Sequence, residues 1–146
     1  MTVWTRCLLP LLLLVAPPLA HAQVAQDRSA AVVFTGTNEG GAAEVDGFRH
    51  GVVEAAGKDA ALRIVATDTE EVDPAKVAAT AKVRFVFLGT IQRDGGDFAI
   101  SARLIDARAG REVWNGRFFS DEDDLMHLPD EIATSLVAQL KAADRK

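Results

Sequence analysis

Apolar residues recur along this chain at two different spacings, and each spacing predicts a different kind of element. Ala31-Val32-Val33-Phe34 is a short continuous apolar run, the mark of a strand, and it leads into the glycine-rich stretch Gly36 to Gly41. From Ala42 to Ala56 the apolar positions Val45, Phe48, Val52 and Ala55/Ala56 fall three or four residues apart. That spacing predicts an amphipathic helix, closed by Gly57. Leu62 to Ala66 predicts a second strand. Asp73-Pro74 then sets an N-cap before a proline at the first helical position, opening an alanine-rich helix to about Lys82.

Beyond Lys82 the period shortens to two. Arg84 to Gln92 is rich in phenylalanine and β-branched residues, and Phe98, Ile100, Ala102 and Leu104 share one face of the next strand. The turn Asp94-Gly95-Gly96-Asp97 joins these two strands, and Asp106 to Gly110 joins the second to a third strand, Arg111 to Phe119. Connections this short allow only antiparallel pairing, because a parallel return needs a longer crossover. Leu125, Leu128, Ile132, Leu136 and Leu140 then form a helical stripe interrupted by Pro129. A break or kink is expected there, with the main helix running from Pro129 to about Lys141. The predicted order is β-α-β-α-β-β-β-α, an α/β fold of the two-layer α+β kind. In it a mixed five-stranded sheet carries its helices on one face.

The start of the chain changes the picture of where this fold works. Arg6 precedes an apolar stretch, Cys7 to Leu19, that is broken by Pro10 and Pro17-Pro18 and ends in Ala20-His21-Ala22. This is the grammar of a signal peptide over residues 1–22, cleaved before Gln23. The run is too short and too interrupted for a membrane anchor. Residues 23–30 read as a flexible lead and residues 31–142 as one domain. Cleavage would remove the only cysteine, so no disulfide is expected, and burial alone must hold the fold. The chain carries a net charge of -5, with 16 Lys and Arg against 21 Asp and Glu. That balance argues against nucleic acid or an anionic membrane surface as partner.

Candidate chemistry is thin. The stretch 36–41 sits between a strand and a helix, where phosphate could meet backbone N–H groups, but it has neither P-loop nor dinucleotide-fold spacing. A plain flexible connection is the simpler reading. Asp121-Glu122-Asp123-Asp124 lacks the alternation, central glycine and closing glutamate of a calcium loop. Acidic residues ahead of a helix, with Ser120 as its cap, account for it. His50 and His127 have no nearby ligand partners, and no serine or cysteine nucleophile stands in a recognised setting. No enzyme activity, cofactor or metal is expected. Trp114 and Phe118 lie four residues apart on one face of the third meander strand. They are either core beneath the last helix or, if exposed, the anchors of a partner protein.

The second half of the chain resembles the TolB amino-terminal-domain-like family. The residues that carry the likeness are Ala81 to Ile91, Phe98 to Asp106 and Gly110 to Trp114, followed by Asp124 to Ala133; the match spans residues 81–140. At Pro129 the family favours glutamine. The resemblance implies that Gly89, Asp106, Gly110 and Trp114 are structural motif positions. It also implies a periplasmic, non-catalytic protein-interaction module of a Gram-negative cell envelope, with relatives of the FlgO and LpoB types and others fused to signalling proteins. The implied partner is another periplasmic or outer-membrane-associated protein. A shorter likeness, Gly47 to Ala56 with Leu62 to Asp68, is to one lobe of a periplasmic sugar-binding-type receptor. It leaves a small-molecule-binding domain as the alternative.

Overall fold

The computed structural model describes residues 27–143 and 145. The expected signal peptide, residues 1–22, and the first part of the expected lead therefore lie outside the described residues. The elements run β1 (Ser29–Gly36), α1 (Glu39–Gly57), β2 (Arg63–Ala66), α2 (Pro74–Ala81), β3 (Phe85–Asp94), β4 (Asp97–Asp106), β5 (Arg111–Asp121) and α3 (Leu128–Ala143), with a 3-10 turn at Leu125–His127. The order matches the one the apolar spacing predicts. All five strands form one mixed sheet in the order β2-β1-β3-β4-β5. β1 pairs parallel with β2 and with β3, while β3-β4 and β4-β5 are antiparallel.

The strand begins two residues before the expected start, because Ser29 and Ala30 are buried rather than part of a loose lead. The Ser29 hydroxyl accepts from the Arg84 N–H at 3.0 Å, which ties the start of β1 to the approach to β3. The expectation that all helices share one face holds for α1 and α3 and fails for α2. Ala30, Val32, Phe34, Phe85, Phe87 and Ile91 face the core under α1 and α3; Ala31, Val33 and Val86 pack against Val77 and Ala78 of α2 on the other side. Strand order explains this. The first crossover moves from β1 outward to β2, and the second returns past β1 to β3. Both crossovers keep the right hand only if they travel over opposite faces.

Capping fixes where the helices start. Asn38 accepts from the Gly41 N–H at 2.9 Å, and Asp73 accepts from the Ala75 N–H at 3.0 Å with Pro74 at the first helical position. Pro129 stands at the second residue of α3, where the first turn tolerates a missing N–H. The expected break is thus the junction between the 3-10 turn and α3. Leu128, Ile132, Leu136 and Leu140 are all buried against the sheet.

Candidate interaction surface

The turn between β4 and β5 is built on a buried carboxylate. Asp106 is 3% exposed, and its two oxygens divide the work. Oδ1 accepts from the Arg108 N–H at 3.1 Å and the Ala109 N–H at 3.2 Å; Oδ2 accepts from the Arg84 guanidinium at 2.8 Å and 3.2 Å. Burial pushes this carboxyl up, but the donors from Arg84 and the turn outweigh it and hold it below the usual carboxylate range. Gly110 closes the turn at φ 66°, a conformation that disfavours any side chain. Gly89 is required for a different reason: a Cβ there would stand 2.2 Å from the Phe34 ring, which lies across it from β1.

On β5, side chains alternate between the two faces. Trp114, Gly116 and Phe118 pair with Leu104, Ala102 and Ile100 and face α3. Phe118 is 8% exposed and Trp114 is half-buried, their ring centroids 6.3 Å apart. The Trp114 indole also lies over Gly116, where a Cβ would meet it at 2.5 Å. The structure therefore puts Trp114 and Phe118 in the core arrangement rather than the exposed one. The aromatic that reaches solvent is the next residue, Phe119, 70% exposed on the opposite face. The adjacent pair Phe118-Phe119 in a strand carries that information in advance, since neighbours must point to opposite faces.

Around Phe119 the outer face of β4 and β5 is polar and uncovered among the described residues. It presents Ser101, Arg103, Asn115 and Arg117, all exposed. Glu112 knits part of it together, accepting from Arg103 Nε at 2.7 Å and from Asn115 Nδ2 at 2.7 Å. These two bonds, Asn115 first, lower its carboxyl below the ordinary value. α2 packs chiefly on β1 and β3, and the outer halves of β4 and β5 keep one open face and one open edge among the described residues.

The remaining sequence candidates come out as scaffold. The stretch 36–41 is not an open loop: Gly36 ends β1, while Gly40 and Gly41 lie in the first turn of α1. A Cβ on Gly41 would be 2.3 Å from the Ile91 carbonyl oxygen, and one on Gly36 would be 2.2 Å from the Ala42 nitrogen. Asn38 closes the junction further, donating to the Arg93 carbonyl at 2.7 Å. The glycines serve close packing of helix on strand. Ser120 does not cap the acidic stretch; its hydroxyl donates to the Asp121 carbonyl, and the Asp121 carboxylate accepts from the Asp124 N–H at 2.9 Å. His50 and His127 are both exposed, on α1 and in the 3-10 turn. Among the described residues no cluster of three or more His, Cys, Asp or Glu could hold a metal ion. No helix among them is long and apolar enough to cross a membrane.

No protein-family model matches the chain. Putative adenylate cyclase 3 of Rhizobium meliloti (strain 1021) is 24% identical in a match 102 residues long that covers 66% of this chain and 17% of that protein. The chain thus spans about a sixth of the length of its curated relative. Among solved structures, a PelC dodecamer from Paraburkholderia phytofirmans has a TM-score of 0.56 at 15% identity, covering 80% of this chain and 88% of that one. TolB from Acinetobacter baumannii also has a TM-score of 0.56, at 14% identity, over 80% of this chain and 29% of TolB. Identities this low speak to the fold. The chain has a TolB-like fold, and its neighbours fit the family that residues 81–140 resemble.

Proposed function

We propose that this protein is a non-catalytic interaction module of the bacterial cell envelope, exported to the periplasm, where it recognises another envelope protein. The observation that carries this reading is the fold: the described chain superposes on TolB over 80% of its length. Fold alone does not assign function, so the reading also draws on the export signal and on the site geometry. The residues that the family likeness marks, Gly89, Asp106, Gly110 and Trp114, hold turns and core together and present no reacting group. The cyclase match is consistent with such modules being built into longer signalling proteins, its activity belonging to the whole of that larger chain. The open face of β4 and β5 is the surface offered to the partner, since the opposite face is roofed by α1 and α3.

Two experiments test this. Mass spectrometry of the protein recovered from a periplasmic fraction should find Gln23 as its first residue; retention of Met1 in the cytoplasm contradicts export. A photo-crosslinking amino acid at Ser101, on the open face, should give a discrete adduct with an envelope protein in living cells. The same probe at His50, on the exposed side of α1, should give none. Adducts absent from Ser101 and from every other exposed position of β4 and β5 would contradict the reading.

A further inference from the structure

β5 is a long edge strand whose bulge and charged residues, Arg117 apart, lie at its two ends. It stands last in the sheet, so among the described residues nothing pairs with its outer side. It runs for 11 residues and contains neither proline nor lysine. The other edge, β2, is only 4 residues long. Edge strands left in this state template pairing with another chain unless they are short, charged, bulged or covered. β5 has one irregularity, at its start: Leu104 pairs with Trp114 and Ile105 with Glu112, so Val113 is the extra residue of a bulge. From Trp114 to Asp121 its pairing with β4 is regular.

The strand is also complementary to itself. We infer that β5 pairs antiparallel with β5 of a second copy about a two-fold axis at Gly116. That register sets Trp114 opposite Phe118 of the second copy on the core side, extending the aromatic pair already present within one chain. On the open side it sets Arg117 opposite Asn115. Arg117 makes no ion pair with any described residue, so its exposed guanidinium is available to donate across the edge. Asn115 donates its Nδ2 to Glu112 and so keeps its carbonyl oxygen free to accept. Glu112 lies beside it at the bulge as the nearest carboxylate. Each chain thus lends one cation and one acceptor pair, and the two-fold uses both twice, as an isologous interface requires.

A second copy is favoured over an extended peptide of another protein because the strand read backwards sets its own Trp114 against Phe118 and its own Arg117 against the Asn115 acceptor. The inference stands on this strand alone and does not depend on the envelope partner proposed above. Sedimentation equilibrium of the purified protein over a range of concentrations tests it. Dimers are expected, with a mass twice that of the chain. Arg117→Glu places like charge beside Glu112, and Glu112→Lys places it beside Arg117; each alone should weaken dimerisation about tenfold or more. Both positions are exposed, so thermal unfolding of the diluted variants should stay close to that of the parent. Mixing the two variants in equal amounts joins the introduced lysine to the introduced glutamate at one end of the interface and keeps the parental Arg117 beside Glu112 at the other, and should restore dimers. A monomer at every concentration overturns the inference. So does a dimer indifferent to both substitutions, or a mixture that fails to recover.

Discussion

The two halves of the sheet are covered differently, and the difference accounts for how each is written in sequence. β1 and β3 lie between helices on both faces, so β1 reads as an unbroken apolar run in which Ala30, Ala31, Val32, Val33 and Phe34 are all buried. β4 and β5 are roofed on one face only. There, buried Ile100, Ala102 and Leu104 alternate with exposed Ser101 and Arg103, and buried Phe118 is followed by exposed Phe119. Tolerance of substitution should follow the same division: continuous intolerance in β1, a period of two in β4 and β5. Stability is concentrated where both faces are closed, and the side left open is the one proposed for recognition.

The sharpest way to break this comparison is at the paired phenylalanines. Phe118→Ala should destabilise the fold by about 3–5 kcal/mol in denaturant titration, the cost of emptying a buried aromatic site. If it costs no more than a surface substitution, the core assignment of β5 fails. Gly41→Ala ranks next. Its Cβ would press on the Ile91 carbonyl, a backbone atom that cannot step aside, and the cost should be about 2–3 kcal/mol. Gly47→Ala in the same helix meets nothing within 4 Å and should instead gain up to about 1 kcal/mol from helix propensity. Opposite signs at two glycines of α1 would show that packing against β3, not helix formation, selects the first of them.

Asp106→Asn comes third, at about 2 kcal/mol near neutral pH, because Arg84 is partly exposed and water offsets some of its loss. Its pH dependence has a definite sign. The Asp106 carboxyl is depressed in the folded state, so its contribution is present above the unfolded-state value and is lost as the pH falls through the folded one. The parent should therefore lose stability toward acid more steeply than Asp106→Asn. Melting temperatures across an acid series check this, and parallel slopes would contradict it. The smallest effect belongs to Phe119→Ser, within about 0.5 kcal/mol of the parent.

Local chemistry is legible in the sequence. The Asp106 and Gly110 turn, the Asp73-Pro74 cap and the period-two strands each carry their signal within a few residues. The placement of α2 was not legible, because it depends on β2 pairing outside β1, a choice between distant segments that no local pattern records. The stretch 36–41 misled for a related reason. Glycine there reads as loop composition, yet it is selected by the approach of Ile91, fifty residues on. Phe118 drew attention as a partner anchor while Phe119, its neighbour, holds the exposed position. Arg84 as the counter-ion of Asp106, and Asn38 as the pin between α1 and β3, likewise appear only when the strands are assembled.

Amide hydrogen exchange, resolved along the five strands at low and high protein concentration, tests the account most directly. In dilute solution β1 and β3 should exchange slowest, with β5 clearly faster because its outer row of backbone groups meets solvent; raising the concentration should slow β5 alone. Protection in β5 equal to that in β3 at every concentration would mean the edge is not open, and would contradict the division on which the account rests.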